Sequence, residues 1–116
     1  GADERYSYKS FGHLERPAVG VAAGCIKRDG APAYRIWVGS IGDHPLNAVS
    51  VEAALAGVPP EALMDVLPRA SEDAAAQLPA HDDLHGSADY KRHLAAVLMR
   101  RTVLEAAGRQ QEVRNG

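Results

Sequence analysis

The sequence is short of large and reactive side chains. Its 116 residues include one cysteine, one tryptophan and one phenylalanine, and aromatics make up only 5% of the chain. A lone Cys25 excludes an intramolecular disulfide and any thiolate metal cluster built from a single copy. It stands inside an apolar run with no cation beside it, so it reads as a small buried hydrophobe rather than a nucleophile. So few aromatics leave almost no stacking platform for single-stranded nucleic acid. The formal net charge of −2 argues against nucleic acid as well, since it lacks the basic footprint that a phosphate backbone demands. No run approaches the roughly 20 apolar residues of a membrane-spanning helix. The polar start Ala2-Asp3-Glu4-Arg5 has no signal-peptide character. These absences predict a cytoplasmic protein without a membrane or nucleic-acid partner.

What is present suits one domain over residues 1–116, because this length has room for a single hydrophobic core. The apolar share leans on Ala and Val, so that core should be small and closely packed. The first third reads as strands. Arg5-Tyr6-Ser7-Tyr8-Lys9 alternates, and a stretch with Gly12 and Pro17 turns the chain. Ala18 to Ile26 is apolar or Gly throughout, which suits a strand in mid-sheet or covered on both faces. Asp29-Gly30 signals a hairpin. Ala33 to Ile41 is then the partner strand, with Tyr34, Ile36 and Val38 on one face and Arg35, Trp37 and Gly39 on the other.

The last two thirds read as helices. Asn47 is the expected N-cap of a helix over Ala48 to Ala56, with Gly57 as its left-handed stop. Glu61 to Leu67 begins a second helical stretch that Pro68 must break, kink or restart, and Ala70 to Leu78 continues it as far as Pro79. Ser87 caps a third helix in which Tyr90, Leu94, Val97, Leu98 and Leu104 recur every three or four residues. The tail 110–116 is polar enough to fray. Strands first and helices afterwards predict an α+β domain, a small antiparallel sheet of about three strands packed against about three helices.

No constellation stands out as catalytic. In His81-Asp82-Asp83-Leu84-His85 the two histidines have metal-ligand spacing only on a helix, and Pro79 and Gly86 make the segment a turn leading to the Ser87 cap. There the Asp side chains would satisfy free backbone N–H groups. Glu52, in an Ala-rich helix, reads as a solvated or paired face residue. Gly20, Gly24, Gly39 and Gly42 fall within or at the ends of strands, not between a strand and a helix N-terminus where a phosphate loop needs them. Lys91, Arg92, Arg100 and Arg101 share one helix and read as a solvated face or a surface for an anionic partner.

Three segments together resemble one family. They are the strand end Gly39-Ser40-Ile41-Gly42 followed by Glu52-Ala53-Ala54-Leu55-Ala56-Gly57; the stretch from Asp82-Asp83-Leu84-His85-Gly86-Ser87 to Ala88-Asp89-Tyr90-Lys91-Arg92-His93-Leu94; and Val97-Leu98-Met99-Arg100-Arg101. In order and spacing, over roughly residues 6 to 107, they look like the C-terminal domain of carbon monoxide dehydrogenase-type flavoproteins, the FAD-binding medium subunits of molybdenum hydroxylases. The second segment is the most specific. The family usually carries Arg at the positions of His85 and Lys91.

The resemblance implies FAD in the full subunit, held between two earlier flavin-binding domains, and companion iron–sulfur and molybdenum subunits. It also implies a first loop near the flavin. The family's Lys-x-x-x-Arg pattern there falls on Lys9 and His13, so these are the candidate cofactor-binding residues, with His13 replacing the long cation by a shorter, titratable one. Nothing in this sequence matches the Gly-rich segments that cradle FAD phosphates, so this chain alone is not expected to hold the flavin or to catalyse a step. The expected function is an accessory domain that closes a flavin site in an oxidoreductase. The alternative is a stand-alone binding or dimerisation module without flavin, pairing as a homodimer through the sheet face around Trp37.

Overall fold

The structure, a computed structural model, describes residues 4–12, 17–28, 30–39, 44–83 and 86–108. Strand β1 (Glu4–Gly12) pairs antiparallel with β2 (Pro17–Arg28), and β2 pairs antiparallel with β3 (Ala31–Gly39). The register puts Arg28 opposite Ala31, so a two-residue loop joins β2 to β3, and Gly30 takes the positive φ of 82° that such a turn requires. A two-residue β4 (Leu46–Asn47) adds to the far side of β3, giving the order β1-β2-β3-β4. Three helices follow: α1 (Val49–Leu55), α2 (Leu63–Ala76), entered through a 3₁₀ turn at Pro60–Ala62, and α3 (Ala88–Ala106). The α+β reading is therefore correct, with one very short strand beyond those expected.

The core forms where one face of the sheet meets the helices. Val19, Val21, Ala23 and Cys25 on β2 and Tyr34, Ile36 and Val38 on β3 are buried, and they alternate along the strands as a half-covered sheet demands. From the other side come Val51 and Leu55 of α1, Leu63 and Leu67 of α2, and Leu94, Leu98, Met99 and Val103 of α3. Helix α3 lies on β1 and β2 and also packs on α2. Two covered sides explain why its apolar pattern is smeared: Ala95, Ala96 and Thr102 are buried with the leucines, whereas Tyr90 of the expected stripe is exposed. The Thr102 hydroxyl avoids an unpaired burial by donating to the Leu98 carbonyl at 2.7 Å.

One local expectation needs correction, and a second, the break, kink or restart expected at Pro68, is narrowed. Asn47 does not cap α1; the N-cap is Ala48, with no side-chain bond. The Asn47 amide is committed to the sheet edge, donating to the Ile36 carbonyl (2.9 Å) and to a Glu52 carboxylate oxygen (2.5 Å). Pro68 neither breaks nor restarts its helix, because α2 runs through it from Leu63 to Ala76. Proline removes one backbone bond there, while burial of Leu67 before it and of Ala75 after it holds both halves against the core. The expected left-handed stop at Gly57 is present, with φ of 78°. The tail at 110–116 lies outside the described residues.

Candidate functional site

The most specific sequence segment folds into a clasp at the start of α3. Its free N–H groups are filled from within the chain: Asp82 Oδ1 accepts from the Ala88 N–H at 2.6 Å, and Ser87 Oγ accepts from the Tyr90 N–H at 3.0 Å. Asp83 and Gly86 exchange both backbone hydrogen bonds across a tight turn. Gly86 is needed there, since its φ is +140° and an added Cβ would come within 3.0 Å of the Tyr90 ring. Lys91 reaches back from the first turn of α3, only 4% exposed, to contact the Asp83 carboxylate and the His81 carbonyl, each at 2.7 Å. Arg92 donates through Nε to the Leu78 carbonyl at 2.8 Å.

This geometry supports the turn reading around Asp83 and Gly86 and the capping role of Asp82, whereas the Asp83 carboxylate meets Lys91. It corrects the reading of Lys91 and Arg92 as solvated cations. Lys91 is a buried fastener for the loop, and Arg92 ties α3 to the end of α2. The sequence did carry a signal for this. A basic residue three to four positions after a helix cap can fold back over the capping loop, but composition alone made it look like part of a charged face. Leu84 and His85 lie outside the described residues.

A second cluster closes the β3 edge. The Ile36 N–H donates to Glu52 Oε2 at 2.7 Å, the Ile36 carbonyl accepts from the Ala48 N–H at 2.8 Å, and the Pro32 carbonyl accepts from the Gly57 N–H at 2.9 Å. Glu52 is thus the paired residue it was expected to be, and its pairing occupies backbone groups that would otherwise invite another strand. Nearby, the Tyr34 hydroxyl donates to the Val58 carbonyl at 2.8 Å. Burial pushes the Tyr34 phenol above its ordinary range, and its neighbour Cys25 pushes the same way. Cys25 is buried beside Tyr34 in the sheet register, as a small core hydrophobe would be.

Of the two residues expected near a cofactor, Lys9 lies on β1 opposite Val21 in the register, and His13 falls outside the described residues. Glycines 20 and 24 sit within β2 and Gly39 ends β3, where an added Cβ would meet nothing within 4 Å, so close packing does not explain Gly39; Gly42 is outside the described residues. Between α2 and α3 runs an open groove of about 380 Å³, whose lining includes Glu72, Ala76, Asp89, Arg92, His93 and Arg100. Its charges are mixed. Among the described residues no three His, Cys, Asp or Glu side chains gather where a metal ion could be held, and no helix is long and apolar enough to cross a membrane.

A family model described as the CO dehydrogenase flavoprotein C-terminal domain matches residues 16–106. This chain belongs to that family. Solved structures share the fold: CO dehydrogenase from Oligotropha carboxidovorans (TM-score 0.80, 24% identity, covering 94% of this chain and 38% of that one) and quinoline 2-oxidoreductase from Pseudomonas putida 86 (0.75, 24%, 90% and 37%). CO dehydrogenase from Hydrogenophaga pseudoflava is also similar, with a TM-score of 0.75, 28% identity, and coverage of 93% of this chain and 38% of that one. The chain therefore spans well under half the length of the solved chains it matches. No curated protein matches it.

The flavin that the family's name implies can be tested against these residues. A dinucleotide needs free N–H groups at a helix N-terminus for its pyrophosphate. At α3 those groups are taken by Asp82 and Ser87, and Asp83 adds negative charge at the same loop. The α2–α3 groove is open and carries Glu72 and Asp89 beside its cations. Neither the start of α3 nor the α2–α3 groove of this flavoprotein C-terminal domain fits FAD.

Proposed function

We propose that this chain is the accessory C-terminal domain of the FAD-binding subunit of a molybdenum hydroxylase-type oxidoreductase. It helps to close the flavin site formed by flavin-binding domains in the rest of the subunit, and it performs no chemical step itself. Iron–sulfur and molybdenum subunits are its companions in the complex, and it passes no electrons outside that assembly. The observation that carries this reading is the family match over 16–106, combined with coverage of only 37–38% of the solved chains. The clasp at α3 supports it, because the residues that mark the family are spent on holding the domain together.

Lys9 and His13 are the positions of this chain proposed to approach the flavin, at the end of β1 and in the connection that follows it. A stopped-flow or dialysis measurement tests the role. FAD release is timed from a CO dehydrogenase flavoprotein that lacks its C-terminal domain, with and without this chain added. Slower release in its presence supports the reading; an unchanged rate at saturating chain removes it.

A further inference from the structure

Among the described residues, the sheet has helices on one face only. On the other, the described side chains of β2 and β3 are Ala22, Ile26, Ala31, Ala33, Arg35 and Trp37, with Gly20, Gly24 and Gly39 among them. An antiparallel sheet that turns one face to water normally alternates apolar with polar residues. Here β2 does not alternate from Ala18 to Ile26: that stretch is apolar or Gly on both sides, the pattern of a strand covered twice, and charge appears only at its end in Lys27 and Arg28. Trp37 stands 48% exposed in the middle of this face, and Arg35 is the single charge among those side chains. The outer surfaces of the helices differ. α2 presents Asp65, Arg69, Glu72 and Asp73, and α3 presents Asp89, His93, Arg101 and Glu105. Interface centres are poor in charge and rich in tryptophan; the sheet face has that composition, whereas the exposed Met64 of α2 and Tyr90 of α3 stand among charged neighbours.

The occupant follows from length. The solved chains that share this fold carry well over half of their polypeptide beyond the part matched here, and a domain in such a chain needs a surface against which that remainder packs. We infer that the sheet face centred on Trp37 is the surface by which this domain docks on the flavin-binding remainder of its subunit, an inference that rests on the function proposed above. Arg35 at the rim sets orientation, and the glycines beside Trp37 let the opposing backbone approach closely.

The test uses a CO dehydrogenase flavoprotein lacking its C-terminal domain as the partner, and this chain labelled with 5-fluorotryptophan. Trp37 is the sole tryptophan, so the label gives a single fluorine resonance. Docking is expected to shift that resonance and remove its response to D2O. Trp37→Glu should weaken co-elution by about tenfold or more, while Arg101→Glu on the helical surface leaves it unchanged. Circular dichroism confirms that each variant is folded, and if Trp37→Glu does not fold, the fluorine signal of the unsubstituted chain decides. Co-elution with an unmoved resonance, or with full affinity in a folded Trp37→Glu variant, overturns the inference while leaving the proposed function standing. Failure of the unsubstituted chain to co-elute at all overturns both.

Discussion

The Lys91 ammonium lies 2.7 Å from the Asp83 carboxylate across the entrance to α3, and it is shielded from water while Asp83 is half exposed. The contact joins a helix to the loop that caps it. The same nitrogen donates to the His81 carbonyl, so one buried cation holds the incoming limb of the turn to the helix that follows it. That arrangement makes the signature segment of the family a structural device in this chain, and it sets the first expectation.

Replacing Lys91 by Met keeps the buried stem but strips the turn of its donor. We expect a loss of about 1–2 kcal/mol, less than for a fully buried pair because Asp83 can rehydrate. Lys91→Arg, which restores the family's usual residue, should retain most of the stability. Urea denaturation of the three proteins checks this, and the loss should be accompanied by faster amide exchange at Gly86 to Ala88.

Glycine substitutions should separate two positions that look alike in sequence. Gly86→Ala forces a side chain into a positive-φ conformation and against Tyr90, and should cost about 1–3 kcal/mol. Gly39→Ala meets open space at ordinary φ and should change stability by less than about 0.5 kcal/mol. Thermal midpoints of the two variants measure the difference.

Loss of the Glu52 carboxylate uncovers the β3 edge. In Glu52→Ala the Ile36 N–H loses its acceptor and the Asn47 amide keeps only the Ile36 carbonyl, at a cost of about 1–2 kcal/mol. The freed edge should also raise the tendency to self-associate, because it offers unpaired backbone groups to a second strand. Light scattering at increasing concentration reads this second effect, which a change in stability alone does not predict.

Tyr34 gives the chain an alkaline limit. Its folded-state phenol titrates above the ordinary value of 10.0, so the folded state keeps its proton where the unfolded state has lost it. The contribution is full below pH 10.0 and is lost as pH rises from there through the elevated folded value. Stability measured by denaturant unfolding should therefore fall above pH 10, and the fall should be shallower in Tyr34→Phe, which is also weakened at neutral pH by loss of the bond to the Val58 carbonyl.

Much of the architecture was legible because it depends on local pattern. The alternation of Tyr34, Ile36 and Val38 against Arg35 and Trp37 named the buried face, Asp29-Gly30 placed the hairpin, and Ser87 placed the start of α3. What failed depended on partners distant in sequence. Asn47 had the chemistry of a cap but was recruited by Ile36, eleven residues away. At Pro68 the sequence left a break, a kink or a restart open, and packing on both sides, which outweighed one lost backbone bond, kept α2 continuous. Lys91 was misread for a related reason: its burial comes from the way α3 lies against the sheet and α2, which no helical periodicity reports. The capping role of Asp82 was legible, since it acts within six residues of its target.

A domain that only forms part of the surroundings of a flavin gripped by other domains holds no FAD by itself. Equilibrium dialysis of FAD against the purified chain tests that most directly. The expected result is equal flavin on both sides of the membrane. Stoichiometric retention of FAD by the chain alone would contradict the account.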